Sequence, residues 1–340
     1  MGSIRRLLPL LMLSTICAPG QSQDTASPPQ SSGTPAYTLA TQSNIVMLPT
    51  QVEWKHGEIL YTLKAEQFVV EDNGVPQKIK LDEDTDALGL SLVVTVECSR
   101  SAVMEFTKMR GLATMIDALT GAAPREVAVV SFGDEPELLG DFTSDPDKLG
   151  EALSQIEPCD DTKAATFDAV DYAAKLLNKR NNHFRHAVLL ISETRDHGSS
   201  IKPEKVVAEL GRTNTVVDSV AFSPGKTEVL NDLKYGGGSG PIGLLVMAVN
   251  ALKKNASKEL SALSGGEYIN FTTGKGFDEG LTQLSNHIHN YYLLSFQSPT
   301  DATPGMHSLR VKIPDYPEAK IRTRESYFAG DPALAQLPSK

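Results

Sequence analysis

From Leu88 onward, short unbroken apolar runs alternate with stretches whose apolar residues recur every three or four positions. Leu90 to Val96 is a nearly continuous β-branched and leucine run. That pattern belongs to a strand buried on both faces, as in a parallel sheet. Phe106, Met109, Ala113, Ile116 and Leu119 then share one helical face. Val127–Phe132, Ala187–Ile191, Val216–Phe222 and Tyr268–Phe271 read as further strands. The helices between them are marked by Leu149, Leu153 and Ile156 behind Ser144 and Pro146, and by Phe167, Val170, Ala174 and Leu177. Val206, Val207 and Leu210, the run Leu244–Leu252, and Leu260 with Leu263 before the stop Gly265-Gly266 mark three more. Leu281, Leu284 and Ile288 close the series. The rhythm predicts a doubly wound α/β domain over residues 88–290, with a mostly parallel, Rossmann-like sheet covered on both sides.

The flanks have a different period. Before the α/β segment, residues 37–87 carry short β patterns: Ile45–Leu48, then Gln51–Trp54 and Ile59–Tyr61 around a turn at His56-Gly57, then Phe68–Val70 before Asp72-Asn73-Gly74. Asn and Gly tolerate the positive φ that such a turn demands. After it, residues 291–328 alternate again, with Tyr292, Leu294 and Phe296, then Leu309, Val311 and Ile313, then Ile321–Arg324. The economical arrangement is one small all-β, sandwich-like domain made from both ends, with the α/β domain inserted in it. Two separate β units are the alternative.

The ends change the picture. Arg5 and Arg6, the apolar stretch Leu7–Ile16 and the small residues Ala18 and Gly20 read as a cleaved signal peptide over residues 1–20. That stretch is too short to span a bilayer, and no later one is long enough. Secreted or periplasmic export is therefore expected. Cys17 raises a lipoprotein alternative, but Ile16 is bulky where a small residue is wanted. Residues 21–36, rich in Ser, Pro, Gln and Thr, read as a flexible linker, and residues 329–340 as a flexible tail. The formal charge is −10, and removal of the leader makes it two units more negative. Such a chain repels phosphates, which argues against nucleic acid. Two cysteines remain beyond the leader, Cys98 and Cys159, and in an oxidising compartment a pair suggests one bridge.

Ligands of open α/β sheets sit at the carboxyl ends of the strands, where strand order reverses. Three segments fall there. Glu97-Cys98-Ser99-Arg100-Ser101 follows the first strand with one carboxylate and two hydroxyls, a set of hard oxygens suited to Mg²⁺. Cys159 to Ala169 leads into a helix. Ser192-Glu193-Thr194-Arg195-Asp196 follows the strand ending at Ile191.

These three loops resemble those of the von Willebrand factor A domain family, which carries a metal-ion-dependent adhesion site built from an Asp-x-Ser-x-Ser loop, a Thr loop and an Asp loop. The segment Gln67–Gln77 and the closing strands around Tyr291–Phe296, Met306–Val311 and Arg322–Ala329 are similar to those of a bacterial, notably acidobacterial, subfamily. The resemblance runs from Tyr37 to Ala329. It implies candidate metal residues Glu97, Ser99, Ser101 and Glu193, with Mg²⁺ as the cation and a protein as the partner. It also implies that the loops bearing Cys98 and Cys159 are neighbours, which makes their disulfide plausible. The departures fall on the ligands: Glu97 and Glu193 stand for aspartates, Ala164 for the threonine, and Thr194 for a glycine. The implied site is a degenerate one.

No catalytic signature is present. A Gly-rich phosphate loop, a His-Glu-x-x-His pair and a Gly-x-Ser-x-Gly elbow are all missing, Pro241 breaking the near-match at Ser239. The glycine run at 236–240 reads as a loop. His183 and His186, and likewise His287 and His289, read as capping or surface residues. The expected function is a non-catalytic protein-binding or adhesion module. A metal-independent structural or assembly protein of the envelope is the alternative, with an exported metal-dependent hydrolase as a remote third.

Overall fold

The computed structural model describes residues 45–54, 58–82, 88–109, 111–121, 124–222, 240–298 and 302–330. The expected leader, the linker, the His56-Gly57 turn, glycines 236–238 and the tail beyond residue 330 lie outside the described residues.

Among the described residues four strands come first: β1 (Ile45–Glu53), β2 (Val69–Asp72), β3 (Val75–Pro76) and β4 (Ile79–Asp82). The α/β part follows with β5 (Leu90–Glu97), α1 (Leu112–Thr120), β6 (Arg125–Phe132), β7 (Pro136–Thr143), α2 (Pro146–Ser154) and α3 (Thr166–Asn178). It continues with β8 (Arg185–Glu193), α4 (Pro203–Thr213), β9 (Val216–Phe222), α5 (Gly240–Leu252), α6 (Ala256–Ser264), β10 (Tyr268–Phe271) and α7 (Gly274–His289). Four strands close the described part: β11 (Tyr292–Gln297), β12 (Gly305–Lys312), β13 (Lys320–Arg322) and β14 (Ser326–Ala329).

The large sheet has the order β10-β9-β8-β5-β6-β7. Every neighbouring pair is parallel except β6 with β7. All eight residues of β5 are buried, which is why its sequence lacks alternation. One face of the sheet packs on α1, α2 and α7 through Ile116, Leu153 and Phe277. The other packs on α3, α4, α5 and α6 through Val170, Val206, Leu252 and Leu260. Helices on both faces of a mostly parallel sheet give the doubly wound class that the strand–helix rhythm predicts. From β5 the chain steps to β6 on one side, and after β7 and two helices it crosses to β8 on the other. The carboxyl ends of β5 and β8 therefore flank the point where strand order reverses.

The remaining strands form two four-stranded sheets, β13-β1-β11-β4 and β14-β12-β2-β3. Each contains strands from both ends of the chain. Leu48 and Val70 from the first end meet Leu294, Phe296 and Val311 from the second in one apolar core. The β2–β3 turn is made by Asn73 and Gly74 at φ 48° and 83°, as Asn-Gly hairpins require.

Three details depart from expectation. The first helix begins only at Leu112; Phe106 lies in a short 3-10 turn. β7 has no counterpart in the sequence reading, because it is an edge strand with no fully buried residue and an irregular register against β6. His287 is not a surface residue: it is only 6% exposed, on the face of α7 that meets the sandwich, against Gln51 of β1.

Candidate functional site

β5 ends on Glu97, whose side chain is fully buried beneath the following loop. Ser99 is buried too, while Ser101 is exposed. The Ser99 hydroxyl donates to Glu97 Oε1 at 2.5 Å and the Ser101 hydroxyl donates to the same oxygen at 2.7 Å. The two hydroxyl oxygens are 2.8 Å apart. The other carboxylate oxygen, Oε2, accepts the backbone N–H of Glu193 at 2.8 Å. Glu97 thus ties the ends of β5 and β8 together across the reversal point, with both its oxygens engaged.

The second loop is fastened to the first by backbone as well as sulfur. Cys159 N–H donates to Cys98 C=O at 2.8 Å, and Arg100 N–H to Asp161 C=O at 2.9 Å. Cys98 and Cys159 form a disulfide with Cα atoms 5.1 Å apart. Ala164, where the resemblance leads one to expect a threonine, is buried and pairs with His197 through two backbone hydrogen bonds. Its methyl group offers no oxygen. Thr166 is buried and its hydroxyl donates to the Ala164 carbonyl, while Thr162 is exposed.

The third loop is pinned to the start of α3. Asp196 Oδ1 accepts the N–H of Phe167 and the Ser199 hydroxyl, and Asp168 accepts the N–H groups of Ser200 and Ile201 at 2.7 and 2.8 Å. Both aspartates are thus occupied in holding loop to helix. Glu193 is 6% exposed. Burial first, and the nearby Glu97 carboxylate second, push its carboxyl up to about 7, against a pull from Arg195. His197 Nε2 lies 3.3 Å from Glu193 Oε1. This neighbour was missed by sequence reasoning, since the antiparallel bridge that places it is a tertiary feature.

The oxygens Glu97 Oε1, Ser99 Oγ and Ser101 Oγ form a triangle whose edges approach the roughly 3 Å edge of an octahedral Mg²⁺ shell. The rest of the shell does not fit. Glu97 Oε2 is held by a backbone donor, Ala164 contributes nothing, and Glu193 carries only part of its charge near neutrality. Among the described residues, a second grouping of Cys98, Cys159 and Asp161 has both sulfurs bound in the disulfide. The structure therefore brings Glu97, Ser99, Ser101 and Glu193 together, but as a closed hydrogen-bonded set.

Comparison with known proteins agrees on the domain. Residues 97–195 match the family model of the von Willebrand factor type A domain. The matched segment spans all three loops. No curated protein matches the chain. Among solved structures, an aerotolerance-related membrane protein from Bacteroides fragilis, carrying multiple mutations to serine, aligns at 16% identity and TM-score 0.40, covering 58% of this chain and 99% of that one. BatB from Bacteroides thetaiotaomicron aligns at 14% identity and TM-score 0.40, covering 58% and 100%. Proximal thread matrix protein 1 from the mussel byssus, with a zinc-occupied metal-ion-dependent adhesion site, aligns at 14% identity and TM-score 0.42, covering 63% and 49%.

Proposed function

We propose that this chain is an exported, non-catalytic protein-binding module of the von Willebrand factor A type. It engages a protein partner at the carboxyl edge of the six-stranded sheet, without a resident Mg²⁺ ion. The observation that carries this reading is the saturation of Glu97. Its two oxygens already take the hydroxyls of Ser99 and Ser101 and the N–H of Glu193. A cation entering there would have to break these bonds and find a replacement for the missing threonine oxygen. The hydrogen-bonded set instead holds the three loops in one arrangement, which is what a rigid recognition face requires. The chain divides, on this reading, into a leader (1–20), a linker (21–36), β segments (37–87 and 291–328) around the α/β domain (88–290), and a tail (329–340).

Two measurements test this. Calorimetric titration with Mg²⁺ is expected to give no saturable heat below millimolar concentration; tight, stoichiometric binding would sink the metal-free reading. A pull-down from the producing organism's envelope fraction is expected to capture the same partner in EDTA as in Mg²⁺, and to lose it with the Glu97→Ala, Glu193→Ala double variant. Retention by a folded double variant would move the contact to the sandwich, as expected of an envelope assembly protein. Among the described residues no helix is long and apolar enough to cross a membrane.

A further inference from the structure

A cleft of about 290 Å³ opens beside the three loops, between α1 and α2. Phe106, Met109 and Leu112 line one side of it, and Leu153 and Ile156 the other. It reaches Val96 of β5, the residue before Glu97. The gap is written into the sequence at Gly150 of α2, which also lines it: a Cβ there would meet nothing within 4 Å. Met104 and Val103, in the turn that leads from Ser101 to Phe106, are 76% and 41% exposed. An open apolar recess beside exposed apolar side chains is what a partner's anchoring side chain fills. Its volume lies at the low end of the roughly 300–1,000 Å³ of small-ligand pockets, which suits one bulky side chain.

The charge around this cleft is one-sided. Residues 134–161 run from the β6–β7 turn through α2 to the second loop. They carry ten carboxylates and one lysine, Lys148, while the whole chain has a net charge of −10. The α1 side, residues 102–121, is balanced at two acids and two bases. Glu151 and Glu157 follow the lining residues Gly150 and Ile156 directly, and both are exposed. Neither has an ion-pair partner among the described residues. Across the second loop, Asp134, Glu135, Glu137 and Asp161 line one open hollow. Among the described residues only Lys163, 3.9 Å from Asp134, forms an ion pair with this group. A field of this sign repels nucleic acid and anionic membrane and draws a cationic segment.

We propose that the protein partner presents a basic segment carrying one bulky apolar residue. That residue seats in the α1–α2 cleft, and the flanking lysines or arginines lie against the carboxylates of residues 134–161. The proposal rests on the reading of the carboxyl edge of the sheet as the contact face, and it adds the chemistry of what binds there. The apolar anchor supplies most of the affinity and the charges supply orientation and rate.

The test uses the full chain and a library of random peptides displayed on phage. Selection is expected to enrich a bulky apolar residue flanked by Lys or Arg. Gly150→Leu, which fills the cleft from a position with open space, is expected to weaken the enriched peptide about tenfold or more without lowering the melting temperature. Glu151→Lys with Glu157→Lys, both on the surface, is expected to weaken it by a similar factor, and so is raised salt. Enrichment of acidic peptides, no enrichment, or peptide binding that Gly150→Leu leaves unchanged would overturn the proposal. So would the neutral dye Nile red binding in the cleft as tightly as the peptide, since the occupant would then be a small apolar molecule. The partner captured from the envelope fraction separates this proposal from the reading beneath it. Loss with Glu97→Ala, Glu193→Ala but retention with Gly150→Leu would remove the cleft and leave the edge as the contact face. Retention by both variants would remove both.

Discussion

Glu193 is the residue at which burial and function meet. Its carboxyl titrates near 7 in the folded state, against about 4.5 when exposed. Between those values the native state holds more protons than the unfolded state. Stability therefore falls as pH rises through that window, by an amount of the order of 3 kcal/mol at full ionisation. Glu193→Gln removes the ionisation and keeps the shape. In EDTA, urea unfolding is expected to show the variant close to wild type at about pH 4.5 and more stable than it at about pH 8. Equal pH slopes for the two proteins would rule this out. The candidate residues Glu97, Ser99, Ser101 and Glu193 were legible because strand ends and loop chemistry are local. The saturation of Glu97 was not, because the Glu193 N–H arrives from a segment 96 residues away in sequence.

At the scale of elements, the connections carry more information than the strands. The disulfide closes a loop with a sequence separation of 61. Removing it as Cys98→Ala with Cys159→Ala is expected to lower stability by about 4 kcal/mol in urea, chiefly through the unfolded chain. The backbone pairing of the two loops should keep the native fold, so the circular dichroism spectrum is expected to be unchanged. Two glycines behave oppositely. A Cβ on Gly266, between α6 and β10, would meet the Val217 carbonyl oxygen at 2.2 Å. Gly266→Ala is expected to cost more than about 2 kcal/mol, because backbone must move. Gly150 sits inside α2, where a Cβ meets nothing within 4 Å. Gly150→Ala is expected to stabilise by about 0.5–1 kcal/mol. Both changes are read from denaturant midpoints. The buried strands β5, β6, β8 and β9 were legible because apolar runs bounded by turns have few other readings. β7 was not: an edge strand with half-covered side chains and a register shift against β6 shows neither a run nor a clean alternation.

At the scale of the whole molecule, both ends of the chain must meet before the sandwich exists, and the matching β patterns at the two ends made that legible. The polar junction inside it was not, since its members are more than two hundred residues apart. Asp72 on β2 accepts from the Tyr327 hydroxyl of β14 at 2.8 Å, and its other oxygen lies 2.8 Å from His307 Nδ1 on β12. His307 Nε2 lies 2.8 Å from the Thr303 carbonyl. Burial works against the charged imidazolium, but the Asp72 carboxylate and the Thr303 carbonyl outweigh it and raise the His307 pKa above its ordinary value. A histidine held above its unfolded value stabilises the fold fully below about 6.5, and that contribution is lost as pH rises through the folded value. Wild-type protein is therefore expected to lose stability as pH rises above about 6.5 in urea titrations. His307→Asn, which keeps a polar group of similar reach but cannot ionise, is expected to start lower and to lose less across the same interval. Because Glu193, with its carboxyl at about 7, titrates in part of the same range, comparison of Glu193→Gln with the double variant Glu193→Gln, His307→Asn separates the two contributions. An unchanged slope above about pH 7 in either histidine variant would mean that the two ends of the chain are not joined through a charged imidazolium.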